Sequence, residues 1–103
     1  MTRLLVLYGH PENPEAFDTY SRDIHAPLAK CMNGLKKWTI GKVQPAPDGS
    51  QSPYYYIADL YADSREAFEA ILATPEGQAA VEDVPKFASG GVTFVYTDVE
   101  DVI

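Results

Sequence analysis

Four stretches of the chain have the apolar content and length of β-strands, and two amphipathic stretches lie between them. Residues 3–8 form a nearly continuous apolar run that ends at a Gly-His-Pro turn, a pattern typical of a strand covered on both faces. Gly41 predicts a bulge or a close backbone approach within the second strand. The second, third and fourth strands are predicted over residues 35–43, 54–61 and 92–97.

A helix is predicted between the first two strands. Asn13 is a suitable N-cap, because its side chain accepts hydrogen bonds from free backbone N–H groups. Pro14 suits the first helical position, where no backbone donor is needed. The helix runs to about residue 31, and Asn33-Gly34 supplies its C-terminal stop.

His25 lies at the boundary between the two faces of this helix. At about 100° per residue, one apolar stripe faces inward, and His25 lies at its edge, between core and solvent. Pro27 removes one backbone donor and crowds the carbonyl of Asp23, so we expect the helix to kink or end close to His25. The apolar stripe consists of Phe17, Tyr20, Ile24 and Leu28.

The second helical region begins at a capping box and is broken in two. Residues 63–66, with the sequence DSRE, have the spacing of a capping box in which Asp63 is the cap. Thr74 followed by Pro75 restarts a helix after the break, and Pro85 ends it. The apolar residues that the first half buries are Ala67, Phe68, Ile71 and Leu72.

The order of these elements predicts one α+β domain over residues 1–103. Strand, helix, strand, strand, broken helix and strand, joined by right-handed crossovers, give a ferredoxin-like split βαβ fold (βαββαβ). Its four-stranded antiparallel sheet has the helices on one side. A chain of 103 residues has the usual size of a single domain.

The strands carry apolar residues on both faces, although the helices cover only one face of the sheet. One face of the third strand consists of Tyr54, Tyr56, Ala58 and Leu60, and the other of Tyr55, Ile57 and Tyr61. Asp59 is the only charge in this strand. An uncovered face of this kind is a large exposed apolar patch. We therefore predict a homodimer in which two sheets pack face to face about a twofold axis.

Composition and charge narrow the choice of partners. The formal net charge is −7, and because phosphate binding requires a basic surface, nucleic acid is not expected as a partner. Anionic membranes are disfavoured for the same reason. No apolar run is long enough to span a bilayer or to form a secretory signal, so we expect a cytoplasmic protein. Cys31, the single cysteine, is expected to be a small buried filler at a helix end.

Two interpretations of His25 are open from the residues alone. Histidine is the side chain best suited to move a proton near neutral pH, so His25 is a candidate general acid or base at the mouth of a cavity. Alternatively, it is a structural residue that hydrogen-bonds a carbonyl freed by Pro27. Asp83 is a candidate to orient the imidazole or to meet a substrate hydroxyl, with a solvated helix residue as the alternative.

Aromatic side chains are the candidates for substrate binding. Six rings are expected to line an aromatic-sized pocket, or else to belong to the core or the dimer interface: Tyr8, Tyr20, Trp38, Tyr56, Phe87 and Phe94. His10 is a weaker candidate, as a partner of His25 or a metal ligand. No metal is predicted, because a metal site needs three or more convergent ligands and the sequence has no typical ligand spacing.

The chain closely resembles the EthD family from about residue 4 to residue 96. The resemblance rests on several short motifs. Each motif alone is modest evidence, but their combination in this order is specific to the family. They are HAPL at residues 25–28 after Phe17 and Tyr20, NGL at 33–35, TPEG at 74–77 and the segment 83–91.

The resemblance implies the dimeric α+β barrel fold, with one cleft per subunit between sheet and helices. The founding member is associated with degradation of ethyl tert-butyl ether. Relatives in the barrel superfamily include cofactor-free monooxygenases, lactone isomerases, polyketide cyclases and decarboxylases of aromatic compounds, and haem enzymes also occur there. In characterised relatives near the family, the histidine that matches His25 is the usual candidate for proton transfer.

The leading hypothesis is a small cofactor-independent enzyme of catabolic or secondary metabolism. It binds a small apolar, partly aromatic or carbonyl-bearing metabolite and moves a proton with His25. The reaction is of isomerase, cyclase, decarboxylase or monooxygenase type. One alternative is a non-catalytic carrier that binds a hydrophobic metabolite for a partner oxygenase, and another is haem binding through an imidazole.

Overall fold

The strands and helical regions follow one another in the order that the sequence predicts. The computed structural model describes all 103 residues. Its elements are β1 (Thr2–Gly9), α1 (Pro14–Tyr20), a π-helical turn (Ser21–His25), α2 (Ala26–Ala29), β2 (Lys37–Lys42), β3 (Tyr54–Ala62), α3 (Arg65–Ala73), α4 (Pro75–Asp83), a 3-10 turn (Val84–Lys86) and β4 (Val92–Asp98). None of the helices has the length and apolar content needed to cross a membrane.

The sheet has the strand order β2-β3-β1-β4, and all neighbouring strands are antiparallel. The predicted α+β ferredoxin-like class is thereby confirmed. The pairing aligns side chains into rows that cross all four strands on the helix-covered face. One row consists of Ile40, Ala58, Val6 and Phe94, and the next of Trp38, Leu60, Leu4 and Tyr96.

The hydrophobic core lies between this inner face of the sheet and the helices. Side chains of β1 alternate between buried and half-buried, so that Leu4, Val6 and Tyr8 face the core. From the helix side, α3 contributes Phe68, which is fully buried, and Ile71. The burial predicted for these two helical residues is therefore confirmed.

A glycine lets α4 pack against the end of α3. A Cβ atom added to Gly77 would lie only 2.2 Å from the backbone oxygen of Ile71, so no larger residue fits here without displacing the backbone. This close approach sets the position of α4 and thereby of Asp83, its last residue.

Of the two outcomes predicted for the first helix at Pro27, a kink or an end, the end does not occur. The helix widens just before the proline instead. The backbone N–H of Ala26 bonds to the oxygen of Ser21, five residues earlier, and the chain continues as α2 to Ala29. The wider turn relieves the crowding between the proline ring and the preceding carbonyls. An irregularity beside His25 is thus present, as a π-helical turn rather than a stop.

This turn makes the predicted apolar stripe wrong beyond Tyr20. Ile24 was expected to face inward but is 51% exposed, whereas Ser21 and Ala29 are buried. The helical wheel assumes a constant 100° per residue, and a wider turn has a smaller angle per residue. Residues after Tyr20 are therefore rotated, and the rotation carries the side chain of His25 inward, to 13% exposure.

The caps of the first and last helices are as predicted, and the cap of α3 is not. Asn13 and Thr74 each accept a backbone N–H in the first turn of the helix that follows. In α3 the cap is Ser64, whose Oγ accepts the N–H of Ala67 at 3.0 Å, and not Asp63. The capping-box spacing of residues 63–66 is misleading because β3 extends to residue 62, which moves the helix start by one residue.

The irregular strand pairing lies elsewhere than predicted. Gly41 is not in a bulge, since β2 and β3 pair in constant register from Lys37 to Lys42. The register shifts instead between β1 and β3, next to Gly9. Near this shift Tyr55, which alternation assigns to the uncovered face, reaches α1, where its hydroxyl donates to Asp18 at 2.8 Å and its ring packs against Phe17.

Cys31 also differs from expectation, because it is exposed rather than buried. The first helix ends at Ala29, two residues before Cys31, so the cysteine lies outside the segment that packs on the sheet.

Both faces of the sheet leave apolar side chains accessible. On the outer face, which the helices do not cover, Leu5, Leu7 and Ile57 are only half-buried and Val95 is 36% exposed. On the inner face the edge residues Ile40 and Phe94 are 56% and 48% exposed. The helix layer therefore does not cover the inner face completely.

Candidate active site

The structure brings His25 and Asp83 together from the two helical regions. Nδ1 of His25, at the end of the π-helical turn, lies 2.9 Å from Oδ2 of Asp83, at the end of α4. The aspartate is only 4% exposed. Asp83 is thus not the solvated helix residue of the alternative interpretation, and His25 contacts a carboxylate rather than a backbone carbonyl.

A second hydrogen bond fixes the orientation of this carboxylate. The hydroxyl of Tyr20 donates to Oδ1 of Asp83 at 2.6 Å, while His25 contacts the other oxygen. Burial alone would raise the pKa of Asp83. The hydrogen bonds from Tyr20 and His25, followed by the electrostatic attraction of Asp83 to His25 and Lys86, outweigh burial, and the pKa of Asp83 lies below its ordinary value.

The charge of Asp83 determines which nitrogen of His25 carries the proton. An ionised carboxylate only accepts hydrogen bonds, so Nδ1 of His25 must be the donor. In the neutral ring, Nε2 then has a free lone pair, and it makes no hydrogen bond within the chain. The pair therefore holds the imidazole as a base with its reactive nitrogen available.

Phe87 supports the same ring from behind. Its ring centroid lies 4.8 Å from that of His25 and 5.2 Å from that of Tyr20, with which it stacks. It also lies 5.5 Å from Tyr8 on β1. The phenylalanine thus links the imidazole to the core, which restricts the motion of the ring.

His25 lies on the wall of an apolar cavity of about 240 Å³ between sheet and helices. Its floor is formed by the two side-chain rows of the inner sheet face, together with Tyr8 and Tyr56 at one end. The opposite wall comes from both helical regions and includes Ser21, Ala29, Ala80 and Val84. Ile40 and Phe94, which are strongly exposed, also line it, so the cavity reaches the edges of the sheet.

Four of the six predicted ring residues line this cavity, and two do not. Tyr8, Trp38, Tyr56 and Phe94 are lining residues. Tyr20 and Phe87 instead hold Asp83 and His25 in place. The sequence placed all six in one class because it could not distinguish a ring that faces the cavity from one that packs behind the imidazole.

Several small residues that the sequence analysis did not single out create the empty space. Ala26, Ala29 and Ala80 line the cavity from the helices, and Ala58 lies in the middle of its floor. Ser21 was also missed, although it lies four residues before His25 and its Oγ donates to the hydroxyl oxygen of Tyr56 at 3.3 Å. The available signal was the spacing of four residues from the inward Phe17, which places Ser21 on the same face of the helix.

The sequence comparisons place this architecture in a known family. A profile of the EthD domain matches residues 10–91. An uncharacterised 11.0 kDa protein of the thcB-thcC intergenic region of Rhodococcus erythropolis is 40% identical over 103 residues, which are 100% of this chain and 99% of that protein. The chain belongs to the EthD family.

Solved structures show the same fold. An EthD family protein from Bacillus halodurans aligns with a TM-score of 0.90 at 31% identity, over 97% of this chain and 99% of that chain. A hydroxynitrile lyase from Passiflora edulis aligns with a TM-score of 0.77 at 10% identity, over 99% and 95% of the two chains. SnoaB, a cofactor-independent oxygenase from Streptomyces nogalater, aligns with a TM-score of 0.66 at 14% identity, over 99% and 94%.

A fourth structure concerns assembly. A protein from Bacteroides fragilis that is described as dimeric and ferredoxin-like aligns with a TM-score of 0.66 at 12% identity, over 95% of each chain. At identities this low, the Bacteroides protein, the lyase and the oxygenase show only that they share the fold of this chain.

His10 lies outside the cavity of this EthD-family chain. Its Nε2 lies 2.7 Å from the backbone oxygen of Ser52, and the ring lines a separate polar depression beside the loop that follows β2. No group of three or more His, Cys, Asp or Glu side chains is arranged to hold a metal ion.

Proposed function

We propose that this EthD-family protein is a cofactor-independent enzyme that binds a small apolar metabolite and transfers a proton with His25. The observation that carries the proposal is the hydrogen-bonded pair of His25 and Asp83 on the wall of an apolar cavity. Apolar walls with a few converging polar groups are typical of small-molecule sites. The proposal is supported by two enzymes of the same fold, a hydroxynitrile lyase and a cofactor-independent oxygenase.

The proposed step is a proton transfer to Nε2 of His25. Nε2 accepts a proton from a C–H or O–H group of the substrate, and the electron pair of that bond stays on the substrate. Asp83 stabilises the imidazolium that forms and keeps the ring in the correct orientation. Return of the proton to another atom of the same molecule completes an isomerisation, and if the anion first attacks a carbonyl carbon of the same molecule, return of the proton to the alkoxide completes a cyclisation. If the proton comes from a carboxylic acid, loss of CO2 leaves the electron pair on carbon, and return of the proton there completes a decarboxylation. Addition of O2 as the oxidant to the anion, followed by return of the proton, would give a hydroperoxide.

The size of the cavity limits the substrate. A volume of about 240 Å³ is slightly below that of pockets for drug-sized ligands. It suits a molecule of about one substituted ring, in agreement with the partly aromatic or carbonyl-bearing metabolite expected from the sequence. A role in catabolic or secondary metabolism in the cytoplasm follows as part of the same proposal.

Mutation of His25 tests the proposal. Substrates are first sought among phenols, quinones and lactones by the ligand-induced rise in melting temperature. His25→Asn preserves a donor to Asp83 but removes the base, and it should lower turnover by roughly 10²- to 10⁴-fold. His10→Asn is the matched control and should leave turnover unchanged. Turnover that survives His25→Asn would remove this residue from the mechanism.

A carrier is the second candidate, favoured by the almost entirely apolar lining of the cavity. A carrier that delivers a hydrophobic metabolite to a partner oxygenase binds its ligand without turnover. Its affinity should not change between wild type and His25→Asn, and it should not depend on the protonation of the imidazole. These two measurements separate the carrier from the enzyme.

We further propose that the protein is a homodimer through the outer face of the sheet. Leu5, Leu7, Ile57 and Val95 supply the apolar surface. Sedimentation at micromolar concentration should give twice the mass of the chain, and Val95→Asp should shift it towards the monomer. Ile24→Asp, on an exposed helix position, is the control. A wild-type monomer at this concentration would contradict the dimer.

A further inference from the structure

Two tyrosine rings pack against each other at the His25 end of the cavity. Tyr8 on β1 and Tyr56 on β3 are direct cross-strand partners, and their ring centroids are 5.7 Å apart. Both residues line the cavity, and both are at least nine-tenths buried. Apart from Ser21, His25 and these two tyrosines, the nitrogen and oxygen atoms of the lining side chains are Nε1 of Trp38 and the hydroxyl of Tyr96.

The hydrogen-bond pattern leaves both hydroxyls free to donate. Ser21 donates to the hydroxyl oxygen of Tyr56 at 3.3 Å, so the hydroxyl hydrogen of Tyr56 is not used in that bond. No hydrogen bond to another group of the chain involves the hydroxyl of Tyr8. Burial, and then the nearby Tyr56 and Asp83, raise the pKa of Tyr8, which keeps it a neutral donor at physiological pH.

These donors lie close to the imidazole. Phe87 touches both rings, with its centroid 5.5 Å from that of Tyr8 and 4.8 Å from that of His25. Ser21, which contacts Tyr56, lies one helical turn before His25. His25, Tyr8 and Tyr56 all line the cavity, so we place a small molecule at this end between the base and the two hydroxyls.

We infer that the hydroxyls of Tyr8 and Tyr56 form an oxyanion site for the anion that proton transfer to His25 produces. The inference rests on the proposed function and adds a substrate class to it. The substrate is a phenol, an enol or a carbonyl compound with an acidic neighbouring C–H, in which the negative charge collects on one oxygen. Preorganised donors in a water-poor site are effective stabilisers of such a charge.

The proton transfer requires no further reactant. The proton moves from the substrate to Nε2 of His25, and the bonding electron pair remains on the substrate as an enolate or phenolate. The oxygen accepts hydrogen bonds from Tyr8 and Tyr56, and the imidazolium is paired with Asp83. Donation of the proton back to a different atom of the anion regenerates neutral His25.

4-Nitrophenol is a direct probe, because it has one ring and absorbs visible light only as the phenolate. We expect the wild-type protein to bind it and to increase the phenolate fraction at a pH where the free probe is mostly neutral. Tyr8→Phe keeps the ring but removes the donor, and should weaken phenolate binding roughly 10- to 100-fold. Tyr56→Phe should act in the same direction.

Nitrobenzene and Tyr61→Phe are the controls. Nitrobenzene has the same ring without an acidic group, so its affinity should be the same in wild type and Tyr8→Phe. Tyr61 pairs with Arg3 next to the inner-face pair Leu4 and Leu60, so it lies on the other face of the sheet, and its change to Phe should leave phenolate binding unaltered. Phenolate binding that is equally tight in Tyr8→Phe, or no ionisation of the bound probe in wild type, would overturn the inference.

The two proposals fail in different ways. If nitrobenzene binds and turnover depends on His25 while Tyr8→Phe changes nothing, only the oxyanion site is wrong. If neither probe binds the wild-type protein, the cavity is not a binding site, and the proposed function is wrong as well.

Discussion

The two helical regions pack on the same face of the sheet but use side chains of very different size. The second region (residues 65–83) inserts Phe68 and Ile71, which are 0% and 7% exposed and fill the core. After Phe17, the first region (residues 14–29) presents Ser21, His25, Ala26 and Ala29 to the cavity. Together with Ala80 of the second region, these small side chains leave the space that forms the cavity.

The interactions that hold the two regions differ as well. The second region is held by burial of apolar surface, which depends little on pH. The first is joined to the end of the second through Tyr20, His25 and Asp83, which are linked by hydrogen bonds to a charged carboxylate. The stability of the second region should therefore fall most when a buried side chain is made smaller. The attachment of the first region should be weakened most when the charge of Asp83 is removed.

Phe68→Ala should give the largest effect. Removing a fully buried ring typically lowers the free energy of unfolding by about 3–5 kcal/mol. Urea denaturation at neutral pH measures the change. Ile24→Ala, on the exposed side of the first region, should change the free energy of unfolding by less than about 0.5 kcal/mol. A similar fall in the free energy of unfolding for Phe68→Ala and Ile24→Ala would contradict this difference between the two regions.

Asp83→Asn should lower the free energy of unfolding by about 1–3 kcal/mol at neutral pH, because it replaces a buried, charged acceptor of two hydrogen bonds. The difference between wild type and variant should also depend on pH. The pKa of Asp83 is lower in the folded than in the unfolded chain, so its contribution is complete above the unfolded value of about 3.9. It is lost as the pH falls through the lower folded-state pKa.

Urea denaturation of both proteins at neutral and acidic pH checks this sign. The advantage of the wild type over Asp83→Asn should shrink below about pH 4. An advantage that grows towards acid would mean that Asp83 is protonated in the folded protein and would contradict the charged pair.

Matched enlargements of two alanines test where the space is. Ala62 is fully buried on β3 and does not line the cavity, so Ala62→Leu should lower the free energy of unfolding by about 1–3 kcal/mol through overpacking. Ala29 is equally small and buried but lines the cavity, so Ala29→Leu should cost less than about 1 kcal/mol. Ala29→Leu should, however, abolish nitrobenzene binding, which calorimetry would detect.

The smallest expected effect concerns the start of the second region. Ser64→Ala removes the cap of α3 and should lower the free energy of unfolding by about 1 kcal/mol. Asp63→Ala should have a much smaller effect, because Asp63 makes no capping bond. Thermal melting of the two variants distinguishes them, and the reverse order would restore the cap predicted from the sequence.

The sheet and the second helical region could be predicted from the sequence because their patterns are local and regular. The strands are bounded by turn residues, and the inward positions Phe68 and Ile71 follow helical spacing. The caps at Asn13 and Thr74 each precede a proline, which makes the helix start unambiguous. The start at Ser64 has no such marker, and there the prediction was wrong by one residue.

The site could be predicted only in part, because it depends on contacts between distant segments. His25 and Asp83 were named as candidates, and Asp83 was one possible partner of the imidazole, but across 58 residues no local pattern favoured this pairing over a solvated helix residue. The burial of Asp83 depends on Tyr20 and His25, which only the folded chain brings to it. The inward role of Ser21 was missed although helical spacing from Phe17 places it on the same face, because a serine there carried no apolar or titratable signal.

The π-helical turn makes the first helical region one residue longer than a regular helix between the same two ends. Loss of Arg22, Asp23 or Ile24 would let the N–H of Ala26 bond four residues back, so that Ser21 and Ala26 keep their faces and the helix becomes regular. A one-residue deletion, which in a regular helix turns every later position by about 100°, would here leave the later positions facing as before.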